Sequence, residues 1–525
     1  MSESLQQLWA FFVDHRSEIA EQTLEHLKLT LIALALATLV GVTIGIVITR
    51  YRKASGNVLG AVGAIQTIPS IALLGFLLPL LGIGAIPAIV ALFLYALLPI
   101  VRNTFAGIDG VSPAVKEAAK GLGMPDSQVL FKIELPLAVP IIFAGIRTAT
   151  VTTVGVATLC ALIASGGLGE FIFRGIALNN VDMLLAGAIP AAILALSLDF
   201  LLGRVEANIQ NWFKPILIGA IVLFLVAILS AVYPLFFGPE FRAGFVAEFM
   251  ERADGYPGLR EHYNLKKLDI LELDPGLMYR ALAEEKVDVI SGFSTDGRIE
   301  AYNLTVLEDD QKYFPPYYAA PLVRRQTLET HPEIRSALNK MAGQISDQVM
   351  ADLNYQVDQQ QRPTAQVAKE FLDQLGLDTA VERSGTPDIL IGSKNFTEQF
   401  ILSDMMAILI ENYTNLDVDL KAGLAGTKIA FDALSQGEID LYPEYTGTAL
   451  LAVLKPDDAK RDAIISDKDQ VFDYVQQEMQ QQYNLEWLEP FGFNNTYALM
   501  MRSDEVEELN IRSISDLKNY LDQSE

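Results

Sequence analysis

Residues 117–136 read EAAKGLGMPDSQVLFKIELP, and this stretch decides how the rest of the chain is read. Glu117, Ala118 and Ala119 close one amphipathic helical run, Gly121 and Gly123 break it, and Asp126 or Ser127 is placed to cap a second run that Pro136 ends. The hairpin is polar, yet long apolar segments stand on both sides of it. An exposed helical hairpin on a membrane protein needs something to dock against.

Working outward, runs of the roughly 17–25 apolar residues that a bilayer span requires occur at 27–49, 57–82, 84–103, 137–165, 180–203 and 215–237. Six spans are expected, the first of them an anchor and not a cleaved leader. Arg50, Arg52 and Lys53 follow the first span, Lys116, Lys120 and Lys132 the third, and Arg204 and Lys214 the fifth. Short loops rich in Lys and Arg stay on the cytoplasmic side, so the hairpin is expected in the cytoplasm. The segment 1–26, and everything after the sixth span at 215–238, is then expected outside a multi-pass protein of the cell membrane.

Charge divides the chain at the same point. Through residue 238 there are 13 basic and 13 acidic residues, so the whole net charge of −25 falls on the remainder. That acidity disfavours nucleic acid and suits cationic or zwitterionic partners, with solubility alone as the plainer reading. The single cysteine, Cys160, excludes an intrachain disulfide framework, and four His at 15, 26, 262 and 331 have no metal-ligand spacing. Asp309 and Asp310 are adjacent and point apart, so acid/base chemistry has no support. No catalytic residue, metal or cofactor is expected in this chain.

The spacing of the hairpin, E-A-A, three residues, G, nine residues, I-x-L-P, resembles the coupling loop of ABC importer permeases, with Gly123, Ile133, Leu135 and Pro136 in the later positions. The resemblance implies that the loop seats in a groove of a cytoplasmic ATPase subunit, with two permeases per motor pair. No G-x-x-x-x-G-K-S/T loop occurs, and GLAGTK at 423–428 has neither its spacing nor its Ser/Thr. The motor is therefore expected to be a separate polypeptide. A ligand-sensing membrane receptor is the rival reading, and the complete coupling loop argues against it.

From residue 239 short apolar strands alternate with helical periods, as in DILIG and then FTEQFILSDMMAILIEN, which argues for an α/β domain. The stretches GSKNFTEQF (392–400), GEIDLYPEYTGT (437–448), FGFNNTYAL (491–499), ADGYPGL (253–259), VDVISGFSTDGRI (287–299) and VLEDDQKYFPPYYAAPLV (306–323) resemble the substrate-binding proteins of osmoprotectant importers. Those importers take up glycine betaine, choline, carnitine and related quaternary ammonium compounds. The implied fold is multi-domain: an all-α polytopic membrane permease over 27–214, with its coupling loop at 105–136, followed by a two-lobed α/β clamp like a periplasmic binding protein over 239–525.

The order of the motifs departs from that family, whose members begin with the SKNFTE-like strand. Here the later block comes first, as in a circular permutation whose old ends are joined by a linker at 376–386. By resemblance, lobe I holds about 305–375 and 387–497, and lobe II about 239–304 and 498–525. Two half-domains completed by exchange with a second copy fit the same order.

A quaternary ammonium group donates no hydrogen bond, so aromatic faces must hold it, at about 0.5–2 kcal/mol each. Tyr442, Tyr445, Tyr497, Phe293 and Tyr317 or Tyr318 stand in the resembling motifs. Ser393 and Asn395 precede one helix start and Thr446 another, where free N–H groups favour a carboxylate, with simple capping as the plainer role. Asn495 adds an amide donor. Arg298 and Arg252 offer charge, with internal pairing to Asp296 and Asp254 as the alternative. Glu398, Glu444 and Asp296 would instead favour a cation such as choline. An amino-acid-derived betaine, such as a trimethylated histidine, is a further candidate ligand.

Overall fold

The computed structural model describes residues 3–207, 241–252, 254–265, 268–377, 387–424 and 426–523. It divides into two compact units, Met1–Ile176 with Asn180–Glu240 and Ala177–Asn179 with Phe241–Glu525.

The first unit is helical: α1 (Glu3–Asp14), α2 (Arg16–Arg50), α3 (Arg52–Thr67), α4 (Ser70–Leu81), α5 (Ala85–Asp109), α6 (Pro113–Gly121), α7 (Asp126–Val129), α8 (Leu135–Cys160), α9 (Gly169–Ala177) and α10 (Val181–Ala207). Four helical runs, containing α2, α5, α8 and α10, are long and apolar enough to cross a membrane. The sixth expected span, 215–237, lies outside the described residues. Segment 1–26 does not stand apart from the first span as expected, because residues from Arg16 onward continue into it. No Gly or Pro interrupts α2 before Gly41, so nothing stops the helix near residue 27.

The second expected span is two helices, α3 and α4, bent by 96°. Ile68 takes the extended conformation favoured before proline, and Pro69 has no N–H to carry the ladder forward. The bend is satisfied from α5: the Tyr95 hydroxyl donates to the Ile68 carbonyl, and Gln66 Nε2 donates to Tyr95 O at 2.8 Å. Small residues let α2 and α5 approach closely. A Cβ on Gly41 would stand 2.9 Å from Ile100 Cγ2, and one on Gly45 2.5 Å from Thr104 Cβ.

In the hairpin, α6 ends at a turn where Gly123 has φ +79, a conformation glycine adopts without strain. Neither Asp126 nor Ser127 caps α7; Pro125 is the N-cap residue and no side chain bonds there. Asp126 pairs with Lys120 at 3.1 Å instead. Nor does Pro136 end the helix. Asp126–Ile163 is one helical run with a π-helical stretch at Leu130–Glu134, and Pro136 stands in the first turn of α8. A proline there disrupts least, because the wide turn beneath it already shifts the hydrogen-bond register. Glu134, the unspecified position of I-x-L-P, is buried and pairs with Arg50 at the end of α2 and with Lys116 of α6.

The second unit contains two five-stranded sheets. One has the order β2-β1-β3-β10-β4, from β1 (Arg242–Phe245), β2 (Asp269–Glu272), β3 (Val289–Phe293), β4 (Leu304–Val306) and β10 (Tyr497–Arg502). The other has the order β7-β6-β8-β5-β9, from β5 (Ala319–Arg324), β6 (Ile389–Gly392), β7 (Val418–Lys421), β8 (Leu441–Tyr445) and β9 (Leu485–Trp487). The two repeat one plan. In each, the strand in fourth place is antiparallel to its neighbours and comes from the other half of the unit: β10 beside β3 and β4, β5 beside β8 and β9. The chain therefore crosses between lobes twice, and the crossings lie side by side, with Tyr318 bridged to Asn494 and Asn495 N donating to Tyr317 O at 3.1 Å.

These contacts move the expected lobe boundary at 304/305. Residues 305–316 belong to lobe II: Leu307 N donates to Leu499 O at 2.8 Å, Glu308 bridges to Ser513, and Tyr263 Oη donates to Asp309 Oδ1 at 2.5 Å. Tyr497 likewise opens a lobe II strand. Of the expected linker, residues 378–386 lie outside the described residues.

Candidate functional site

The end of β3 in lobe II faces the start of a lobe I helix, α12 (Thr397–Tyr413), and another lobe I helix, α11 (Asp347–Asp358). A chain of rings runs through this seam. Tyr445, the last residue of β8, stacks on Phe396 (centroids 6.3 Å apart, 24° between planes), Phe396 on Phe293 (5.8 Å, 12°), and Phe293 on Tyr497 (5.0 Å, 29°). Tyr317 meets Tyr497 edge-on at 5.7 Å and 89°. Of the expected aromatic residues, Tyr445, Tyr497, Phe293 and Tyr317 are thus brought together from both lobes.

Tyr442 is not with them. It alternates to the other face of β8, in a second apolar core, and its hydroxyl donates to Glu444 Oε2 at 2.7 Å. Phe396 was missed by the sequence reading, although it lies inside the quoted motif SKNFTEQ.

The polar candidates separate in the same way. Asn495 is buried and donates to Glu398 Oε1 at 2.8 Å. Thr446 donates to Pro316 O and accepts from Tyr318 N, at 3.2 and 3.1 Å, which ties a crossing strand to β8. Ser393 Oγ accepts from Gly423 N at 3.0 Å, a turn-holding role, and Asn395 is exposed. Arg298 is taken up by Asp296, its Nη2 lying 2.6 Å from Asp296 Oδ2, and its guanidinium lies 4.1 Å from the Tyr279 ring centroid. It makes the internal pair weighed as its alternative role.

Glu398, in the first turn of α12, is the hub of the seam. Its carboxylate accepts from Tyr445 Oη (2.6 Å), Asn495 Nδ2 (2.8 Å), Asn354 Nδ2 (3.1 Å) and, across the lobes, Thr295 Oγ1 (2.6 Å). Burial pushes this carboxyl above the usual carboxylate range, against the four hydrogen bonds that favour its charge. Nearby, Lys394 Nζ lies 2.5 Å from Glu444 and 5.1 Å from the Tyr445 ring centroid. Arg252 is bonded to Asp254 through Nε and Nη2, at 2.8 and 2.5 Å, and lies 5.5 Å from the Tyr497 ring centroid. Burial opposes the Arg252 charge, but Asp254 and the surrounding groups outweigh that and push its pKa up. The Tyr317, Tyr445 and Tyr497 hydroxyls are pushed up by burial, and those of Tyr317 and Tyr445 donate to Asp254 and Glu398.

In the hairpin, Ala119 is buried while Glu117, Ala118, Gly123 and Pro136 are exposed; Ile133 and Leu135 are half-buried. Leu122 and Phe131, outside the motif, present exposed apolar side chains at 84% and 66%. This face has the composition of a docking surface.

A helical membrane unit bearing a polar helical hairpin, joined in one chain to a two-lobed α/β clamp, defines the permease and binding parts of a binding-protein-dependent importer. Residues 37–236 match the family of binding-protein-dependent transport system inner membrane components, and residues 231–374 and 387–525 match the substrate binding domain of ABC-type glycine betaine transport systems. The chain belongs to this transport family and is a multi-pass inner membrane protein.

Among its relatives is the choline transport system permease protein OpuBB of Bacillus subtilis, 46% identical over 199 residues, or 38% of this chain and 92% of that protein. The glycine betaine/carnitine/choline transport system permease protein OpuCB of the same organism is 44% identical, over 39% of this chain and 94% of its own. The osmoprotectant import permease protein OsmW of Salmonella typhimurium is 44% identical, over 37% of this chain and 94% of its own.

Proposed function

We propose that this chain is the permease and binding subunit of an ATP-driven importer of quaternary ammonium osmoprotectants, the group to which glycine betaine, choline, carnitine and proline betaine belong. The observation that carries the reading is the ring chain Tyr445, Phe396, Phe293, Tyr497, which spans both lobes at the seam between them. Aromatic faces are the natural holders of a cation with no hydrogen to donate. The named substrates of the relatives point the same way.

In this reading the clamp faces the extracytoplasmic side, captures ligand by closing, and delivers it to the permease. A separate ATPase drives the hairpin at 117–136 from the cytoplasm, and two permease copies serve each motor pair. The reciprocal exchange of β5 and β10 supports a circularly permuted clamp. Entering that plan at lobe II preserves both sheets, and the two crossings within one chain complete it without a second copy.

Calorimetric titration of the purified full chain in detergent tests the ligand class, with choline, glycine betaine, carnitine, proline betaine and a trimethylated histidine as probes. Saturable binding of at least one of the first four is expected. Binding of the trimethylated histidine alone would move the assignment to an amino-acid-derived betaine, and binding of none would refute the reading. In the same assay Tyr497→Leu, which removes the ring between Phe293 and Tyr317, is expected to weaken binding about tenfold. Unchanged affinity would exclude Tyr497 from the site.

A further inference from the structure

The charges around the ring chain do not balance. Lys394 is paired with Glu444 at 2.5 Å and Arg252 with Asp254 at 2.5 Å, so each of these buried cations is matched by a carboxylate. Arg298, at the edge of the seam, faces two carboxylates, Asp296 at 2.6 Å and Asp358 at 3.9 Å. Glu398 has no such partner. It is 2% exposed, its four donors are all neutral, and no Lys, Arg or His forms an ion pair with it among the described residues. Glu398 is thus a buried carboxylate beside the aromatic faces with no countercharge of its own among the described residues.

A second observation concerns hydrogen bonding. Asn354 and Asn495 each give their amide N–H to Glu398, and the Oδ1 of each is buried with no hydrogen-bond partner among the described residues. Buried acceptors without a donor are uncommon in folded proteins. Around one carboxylate the structure therefore collects two open acceptors.

Resting on the quaternary ammonium reading above, we infer that Glu398 is the charge selector of the site: it favours a quaternary ammonium cation that carries a hydroxyl donor and no carboxylate, the chemistry of choline, over zwitterionic betaines. The ammonium charge offsets the unmatched carboxylate, and the hydroxyl supplies a donor to Asn354 or Asn495 Oδ1. A betaine brings a second carboxylate into the same buried region, where like charges repel, and offers nothing to the two open acceptors. The cation that would have received a betaine carboxylate, Arg252, is already held in a two-point bond by Asp254.

The test uses the full chain in lipid nanodiscs, titrated with choline and glycine betaine at one pH and one salt concentration. Choline is expected to bind about tenfold or more tightly than glycine betaine, as one close charge interaction worth about 1.4 kcal/mol would give. Glu398→Gln, which keeps the shape and removes the charge, is expected to weaken choline binding and bring the ratio to about one. Glycine betaine binding as tightly as choline in the unchanged protein would overturn the inference while leaving the ligand class intact. A Glu398→Gln protein that keeps the preference would overturn the role of Glu398. Should that variant not fold, the ratio in the unchanged protein still decides, and a chain that binds no quaternary ammonium compound refutes the underlying reading and the selector with it.

Discussion

Replacing Gly123 by valine is expected to reduce ligand uptake to background while leaving ligand affinity unchanged. The residue sits at φ +79 in the turn between the two hairpin helices. A β-branched side chain resists that conformation, at a cost of roughly 1–2 kcal/mol, and the turn relaxes by changing the angle between α6 and α7. A Cβ at this position meets nothing within 4 Å, so the substitution perturbs the geometry of the hairpin without breaking a packed core. Uptake by cells and affinity of the purified chain, measured on the same variant, separate the two effects. Undiminished uptake would remove the hairpin from the coupling path, and a parallel loss of affinity would show damage beyond it.

The second large effect is expected at Gly297, in the loop that carries Thr295 to Glu398. A Cβ there would lie 2.2 Å from Tyr355 N and 2.5 Å from Tyr355 Cα. Both are backbone atoms of α11 in the opposite lobe, so no side-chain rotation relieves the clash. Gly297→Ala is expected to hold the lobes apart, break the Thr295 to Glu398 hydrogen bond and separate Phe293 from Phe396. Each lobe retains its own five-stranded sheet, and the unit is expected to stay folded in an open state. Binding should weaken about a hundredfold, the loss of nearly 3 kcal/mol from closure, with little change in the circular dichroism spectrum. Full affinity in the alanine variant would mean that this seam does not form when ligand binds.

Much of this architecture was legible because its signals are local. The apolar runs at 84–103, 137–165 and 180–203 became α5, α8 and α10 with small shifts in their ends, since an unbroken apolar run in a bilayer has no better option than a helix. The Pro69 bend stands in the sequence as TIPS inside the expected span 57–82, where hydropathy alone does not tell a kink from a break. Pro136 shows the reverse error: it was read as a stop and stands inside a continuous helix.

The site was less legible, because its contacts are distant in sequence. Thr295 and Glu398 are 103 residues apart, and Asn495 and Glu398 are 97 apart. Nothing near residue 398 announces that a carboxylate in a helix's first turn, ordinarily a solvated position, is buried under four donors. Tyr442 and Tyr445 illustrate the limit of motif reading. They stand three residues apart in one motif, yet strand alternation sends Tyr442 into a core and the end of β8 leaves Tyr445 beside the seam. The lobe bounds at 304/305 and 497/498 rest on the family resemblance, and only the pairing of β10 with β3 and β4 and the bonds that follow it place residues 305–316 and Tyr497 in lobe II.

The most direct measurement is ATP-dependent accumulation of radiolabelled choline and glycine betaine in proteoliposomes that contain the full chain and its cognate ATPase subunit. Accumulation against a gradient is predicted, abolished by Gly123→Val and strongly reduced by Gly297→Ala. Accumulation of neither compound, by a complex that binds them and hydrolyses ATP, would contradict the account of this chain as an osmoprotectant importer.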